Sequence, residues 1–302
     1  MIHIPEVELA FSNACTMQCY ICSPVHGGKN DPFMSQQIFD TTIERLKEVN
    51  FTMLQTGGDG ESLLNPIYID SLRTIRNIFS HVNVVLYNNF SMMTKDIVDA
   101  LIEEQLIDNL YTRIDSLQPA LFRQCTGFDF DTVVANIDYF LSKNNQSKKP
   151  ITFQINYSNI EEYFNKCRNV LGIDPIYWSP LLYDAPEDEF IQVQKRFKGA
   201  QKFSRITQSL WAERHNPALK AEPDLQCGRT YCFDTVLYIW TDGDVGLCGY
   251  DDGQDALIYG NIMKESIPEL WNCEAKQKQI ARVKNREIKG YPCINPKCCL
   301  FY

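Results

Sequence analysis

The sequence predicts an α/β fold: a partial (β/α)6 TIM barrel over residues 1–205, then a small α+β domain with a β-hairpin over residues 206–302. Three observations carry this. Six strand-then-helix units follow one another in the first two hundred residues, which is the signature of a parallel sheet with right-handed crossovers. The pattern breaks near Arg205, short of the roughly 250 residues a closed eight-unit barrel needs. Beyond the break, Asp242-Gly243 separates two apolar runs, and seven of the twelve cysteines gather.

The units can be taken in order. Val7, Leu9 and Phe11 alternate with Glu6, Glu8 and Ala10, so Glu6 to Ser12 reads as a first strand. Ser35 suits an N-cap for a helix with apolar positions at Ile38, Phe39, Ile43, Leu46 and Val49. Residues Phe51–Thr56 form a second strand, and a helix follows Pro66. Val82–Tyr87 is a third strand, with a helix from about Thr94 to Leu106. Leu110–Asp115 is a fourth, with its helix over Asp131–Leu141. Ile151–Asn156 is a fifth, with a helix across Ile160–Leu171. Pro175–Ser179 is a sixth, with a helix near Glu187–Phe197. In the second part, Val236–Trp240 and Val245–Leu247 flank the Asp-Gly turn of a hairpin. Ile267–Val283 is expected to be helical.

Composition narrows the function. The net charge of −9 and pI near 5.0 give no basic footprint for nucleic acid or an anionic membrane. No apolar run approaches the roughly 18 residues of a membrane span. The N-terminus lacks the basic start and apolar core of a secretory signal. A cytoplasmic location is expected, where cysteines serve as metal ligands more readily than as disulfides. Cys125 and Cys167 stand apart from the clusters and read as packed thiols.

Directly after the first strand, Cys15, Cys19 and Cys22 fall in a C-x3-C-x2-C spacing. Three thiolates on one tight loop can bind three irons of a [4Fe-4S] cube and leave the fourth without a protein ligand. A structural zinc would want four ligands, and three thiols cannot pair evenly as disulfides. The second strand runs into Gly57-Gly58-Asp59-Gly60-Glu61. Its glycines permit close backbone approach, and a carboxylate suits an ammonium group.

The cysteine loop after a first strand and the glycine-acid loop after a second together resemble the radical SAM superfamily. The resemblance implies S-adenosylmethionine on the open iron and its one-electron cleavage to a 5′-deoxyadenosyl radical. It makes Glu61 the expected acceptor for the SAM ammonium, with Asp59 the alternative in the same loop. It further suggests Asn88 for ribose, and Arg113 and Asn156 as polar contacts at the fourth and fifth strand ends. Many members carry an aromatic immediately before the third cysteine; here Ile21 stands there, and the aromatic is one place earlier, at Tyr20.

The C-terminal part resembles the SPASM or shortened twitch extensions of this superfamily, which hold auxiliary clusters. Cys232 and Cys248 bracket the hairpin, while Cys293 and Cys298-Cys299 close the chain. One auxiliary [4Fe-4S] cluster is expected, on Cys232, Cys248, Cys293 and Cys298. Cys227 can stand in for Cys232 and Cys299 for Cys298. A four-thiolate set by itself suits zinc as well as iron. Cys273 falls on the expected helix and reads as a spectator.

The resemblance admits small hydroxylated molecules, such as sugars or aminocyclitols, and also peptides. The first strand begins by Glu6, which leaves no room before it for a leader-binding domain, so a small molecule is the preferred expectation. The auxiliary cluster would then accept an electron in a net oxidation. Tyr250, Asp251 and Asp252 are weak candidates for substrate contact or proton transfer, beside the reading as a solvated acidic loop. A one-electron donor such as flavodoxin or ferredoxin is implied.

Overall fold

Buried Val7, Leu9 and Phe11 alternate with partly exposed Glu6 and Glu8, which makes the first long strand one-sided and sets the layer that helices cover. The computed structural model describes residues 2–19, 32–58, 60–158, 189–206, 232–247 and 257–285. The expected helix over 160–171 and strand over 175–179 lie outside these residues, as do Tyr20, Cys22, Asp59, Cys167, Cys227, Cys248, Tyr250, Asp251, Asp252, Cys293, Cys298 and Cys299.

Strand β1 (Ile2–His3) pairs in parallel with β3 (Val49–Asn50) in a small separate ribbon. The main sheet begins with β2 (Glu6–Leu9), followed by helix α1 (Gln36–Leu46). The Ser35 side chain accepts from Ile38 N, as an N-cap should. The helix stops before Val49: Lys47 N and Glu48 N donate three residues back, to Glu44 O and Arg45 O, tightening the last turn. Val49, expected on the helix face, therefore opens a strand.

Next come β4 (Met53–Thr56), α2 (Tyr68–Ile78), β5 (Asn83–Tyr87), α3 (Lys95–Glu103) and β6 (Asn109–Ile114). Helix α4 (Pro119–Thr126) was not expected from sequence, although proline opens it and the Gly127 amide closes it on Arg123 O. Helix α5 (Phe130–Asn144) and β7 (Thr152–Ser158) match their expected positions. Helix α6 (Glu189–Arg196) leads into β8 (Lys202–Ile206), a parallel neighbour of β7 that the sequence reading passed over.

The C-terminal part continues the same sheet. A short helix α7 (Cys232–Thr235) precedes β9 (Val236–Ile239), which pairs in parallel with β2, Leu237 against Val7 and Ile239 against Leu9. β9 turns back into β10 (Asp244–Gly246), closed by Trp240 N to Asp244 O and Gly243 N to Trp240 O. β11 (Ile258–Asn261) completes, among the described residues, the nine-stranded order β11-β10-β9-β2-β4-β5-β6-β7-β8. Among the described residues the sheet is open, as expected of a partial barrel.

The expected single helix over 267–283 is two, α8 (Ile267–Asn272) and α9 (Glu274–Lys284). Cys273, expected on the helix, sits at the break with extended backbone, and its Sγ accepts from Lys276 N at 3.3 Å. The helix-covered side of the sheet is sealed by aromatics. Phe11 packs on Phe39 and edge-on to Tyr68, while Phe90, Phe140 and Phe153 form a second cluster with centroids 5.1–5.9 Å apart. Among the described residues, no helix is long and apolar enough to cross a membrane.

Candidate functional site

The C-terminal ends of β2, β4, β5 and β6 lie in register along one edge of the sheet, with Leu9 opposite Thr56 and Thr56 opposite Leu86. The cysteine loop and the glycine-acid loop both leave from this edge, where parallel sheets gather their ligands. The two loops are joined directly, by Glu61 N donating to Ala14 O at 2.8 Å.

The cysteine loop is pinned from four directions. Asn13 N donates to Pro32 O, and Gln18 N reaches Thr126 O at the end of α4. Asn65 Nδ2 donates to Phe11 O, at the loop's base. Asn13 Nδ2 donates to Thr241 Oγ1 at 2.8 Å, tying the loop to the β9–β10 turn. Cys15 and Cys19 are partly exposed, while Cys22 lies outside the described residues. No group of three metal-capable side chains is found among the described residues, where the loop supplies only two of its three thiols.

The donor chemistry around Cys15 fits an iron–sulfur cluster. Its Sγ accepts from Met17 N at 3.4 Å and from Asn89 Nδ2 at 3.4 Å, bonds that compensate thiolate charge. Burial pushes the metal-free thiol up to about 11, with the Met17 and Asn89 bonds opposing. Ligation at this site must therefore expel a proton.

Gly57 and Gly60 are required by geometry. Gly57 has φ +84°, and a Cβ there would stand 2.3 Å from Tyr87 O. A Cβ on Gly60 would stand 2.5 Å from both Ala14 O and Ser12 O. Gly58 lies on the open side of the loop, where a Cβ would meet nothing within 4 Å.

Glu61 points inward rather than toward open space. It is 1% exposed. Its Oε1 accepts from Asn88 Nδ2 at 2.5 Å and Leu63 N at 3.1 Å, and its Oε2 accepts from Asn89 N at 3.3 Å. Burial pushes its carboxyl up to about 7, opposed by these three N–H donors. Asn88, expected at a ribose, has both ends of its amide committed, to Glu61 and to the Phe90 N–H.

The fourth and fifth strand ends carry further polar groups. Arg113 pairs with buried Asp115 at 3.0 Å. Asn156 Oδ1 accepts from Gln154 Nε2 at 2.8 Å and from Ser204 Oγ at 2.5 Å, so three neutral side chains on β7 and β8 form one strip. Beside it, Tyr87 and Tyr111 stack with centroids 4.9 Å apart.

Sequence reasoning missed two residues. Asn89 was passed over for its neighbour, though it is the one that reaches Cys15. Glu189 is 3% exposed and accepts from Ser116 Oγ, Leu117 N and Tyr157 OH at 2.7–2.8 Å, tying β6, β7 and α6 together. Its signal was faint: an acid in the first turn of a helix is ordinarily a surface residue. Cys125 is buried as expected, and burial raises its thiol well above the usual range. Cys232 opens α7 next to the strand that joins β2.

Comparison with known proteins gives one family match over part of the chain, distant relatives and likenesses of fold. Residues 227–299 match the SPASM family, an iron-sulfur cluster-binding domain. Over 134 residues the chain is 25% identical to the GTP 3′,8-cyclase of Vibrio parahaemolyticus serotype O3:K6, covering 43% of this chain and 39% of the cyclase. The chain thus matches about two fifths of that relative's length. Its fold is similar to that of anSMEcpe with bound AdoMet and Cp18Cys peptide, at TM-score 0.60 and 15% identity, covering 92% of this chain and 83% of the other. It is also similar to BtrN in complex with AdoMet and 2-DOIA, at TM-score 0.53 and 13% identity, covering 93% and 87%.

The SPASM match is confined to residues 227–299, and the likeness to the solved structures is one of fold. The Cys15 loop and the β9–β10 hairpin leave from adjacent strands, β2 and β9, of one sheet.

Proposed function

We propose that this chain is a radical SAM enzyme that abstracts a hydrogen from a small polar substrate, with a SPASM cluster taking the second electron. The observation that carries the proposal is the hydrogen bond between Glu61 N and Ala14 O, which fixes the glycine-acid loop against the cysteine loop. Cys15, Cys19 and Cys22 would hold a [4Fe-4S] cluster, and Gly57, Gly58 and Gly60 would bring the backbone close to S-adenosylmethionine. With both groups bound, and an electron from a flavodoxin- or ferredoxin-like donor, the chemistry supplied is cleavage of a carbon–sulfur bond to a 5′-deoxyadenosyl radical. Glu61 braces the two loops and would accept from the SAM ammonium, with Asp59 the alternative in the same loop. Arg113 and the Gln154–Asn156–Ser204 strip supply polar contacts on the same sheet. Cys232, Cys248, Cys293 and Cys298, with Cys227 and Cys299 as alternates, would hold the auxiliary cluster.

The test is anaerobic reconstitution followed by dithionite and S-adenosylmethionine. The parent chain is expected to release 5′-deoxyadenosine, and a Cys19→Ala chain is expected to release none above background. Equal yields from the two would end the enzyme reading. Iron analysis checks the second centre: about eight irons per parent chain are expected, two cubes of four. About four should remain when Cys15, Cys19 and Cys22 are all alanine. A parent value near four removes the auxiliary cluster.

The preference for a small molecule is supported by the neutral, hydrogen-bonding character of the Gln154–Asn156–Ser204 strip, which suits hydroxyl groups. A peptide is the second reading, supported by the fold likeness to anSMEcpe with its bound peptide. Deuterium transfer into 5′-deoxyadenosine from deuterated polyols, against transfer from deuterated peptides, separates them.

A further inference from the structure

We infer that Asn89 sets the reduction potential of the cluster held by the Cys15 loop, through an N–H···S hydrogen bond to the Cys15 sulfur. The inference rests on the cluster reading of that loop.

The observations are geometric. Asn89 Nδ2 lies 3.4 Å from Cys15 Sγ and 3.5 Å from Thr16 Oγ1. The orientation of the amide is determined by its other end: Asn89 Oδ1 accepts from Ser91 N at 2.9 Å, so the nitrogen must face the sulfur. Asn89 N is held in turn by Glu61 Oε2. Ser91 closes the circle through its hydroxyl, which hydrogen bonds Thr16 Oγ1, the residue after Cys15.

The turn that presents Asn89 is strained, and its surroundings hold the strain. Phe90 has φ +61°, a left-handed conformation that a bulky residue rarely adopts. Its ring is fully buried between Phe140 and Phe153, its N–H donates to Asn88 Oδ1 at 2.7 Å, and its carbonyl accepts from Asn136 Nδ2 at 2.8 Å. Strain of this kind persists where neighbouring structure over-determines it.

Physical chemistry gives the sign. Reduction adds negative charge to a cluster and its thiolates, so a hydrogen bond to a ligand sulfur favours the reduced form and raises the potential. Removing the donor must lower it.

The experiment is a redox titration of the reconstituted full chain, following the reduced-cluster EPR component that S-adenosylmethionine perturbs. Two variants are compared with the parent at matched iron content. Asn89→Ala removes the donor outright. Asn89→Ser keeps a short oxygen to cap Ser91 N but cannot reach Cys15 with a donor. Each is expected to reduce the ratio of reduced to oxidised cluster at a fixed potential by up to tenfold, which is 59 mV for a one-electron couple. A potential equal to the parent's in either iron-retaining variant overturns the inference. Loss of iron from both also overturns it, because Asn89 would then only hold the loop together. A parent chain with no iron at Cys15, Cys19 and Cys22 would instead fail the functional reading itself.

Discussion

Glu61→Ala is expected to destabilise the chain by about 3–5 kcal/mol and to lower the iron retained at the Cys15 loop. Three N–H groups, the buried one of Asn88 and the partly buried ones of Leu63 and Asn89, lose their shared acceptor. A buried donor left without a partner costs about 1–3 kcal/mol. Two of the three belong to the turn that faces Cys15, so the damage reaches the loop as well as the fold. Glu61→Gln separates charge from shape. The folded carboxyl titrates at about 7, above its usual value, because burial opposes the charged form. A raised carboxyl binds its proton more tightly folded than unfolded. Its contribution is therefore fully present below the unfolded pKa of about 4.3 and is lost as pH rises through about 7. Between pH 5 and pH 8 the parent should lose stability relative to Glu61→Gln by roughly 2–3 kcal/mol, at 1.36 kcal/mol per pKa unit. Denaturant unfolding of both chains at the two pH values measures this directly. A difference that does not change with pH would show that the carboxylate is not buried as described.

Gly60→Ala is expected to cost about 3 kcal/mol and to strip iron from the same loop. The new Cβ would meet two carbonyl oxygens, of Ser12 and Ala14, at 2.5 Å. Both are backbone atoms, so no side chain can rotate away, and overpacking against rigid neighbours lies at the upper end of its usual range. Relief requires Ser12–Ala14 to move, and Cys15 is the next residue. The expected result is reduced iron at the Cys15 loop together with lower thermal stability. Parent-like iron content and melting in Gly60→Ala would mean the two loops are not held in contact.

How much of this was legible without the structure depended on the range of the signal. Alternation in Glu6–Ser12, the cap at Ser35 and the Asp242-Gly243 turn are local patterns, and each element formed where expected. The strand β8 was passed over because its five residues lie where the apolar periodicity fades. The single helix expected over 267–283 failed at Cys273, where a sulfur takes up a backbone amide that a helix would leave to a carbonyl.

The sequence alone determined which chemistry-bearing residues lie close along the chain, three thiols in eight residues and then a glycine-acid loop, because metal ligation and close backbone approach depend on residue type and short spacing. Only the tertiary structure decided which groups meet. Asn13 finds Thr241 across 228 residues, and β9 pairs with β2, so the auxiliary hairpin became part of the core sheet. Glu61 turned inward to brace Asn88 and Asn89, and of these two adjacent asparagines it is Asn89 that reaches Cys15. The physical reason is burial. Polar groups closed off from water must find partners wherever the fold brings them, and those partners are distant in sequence and carry no local pattern.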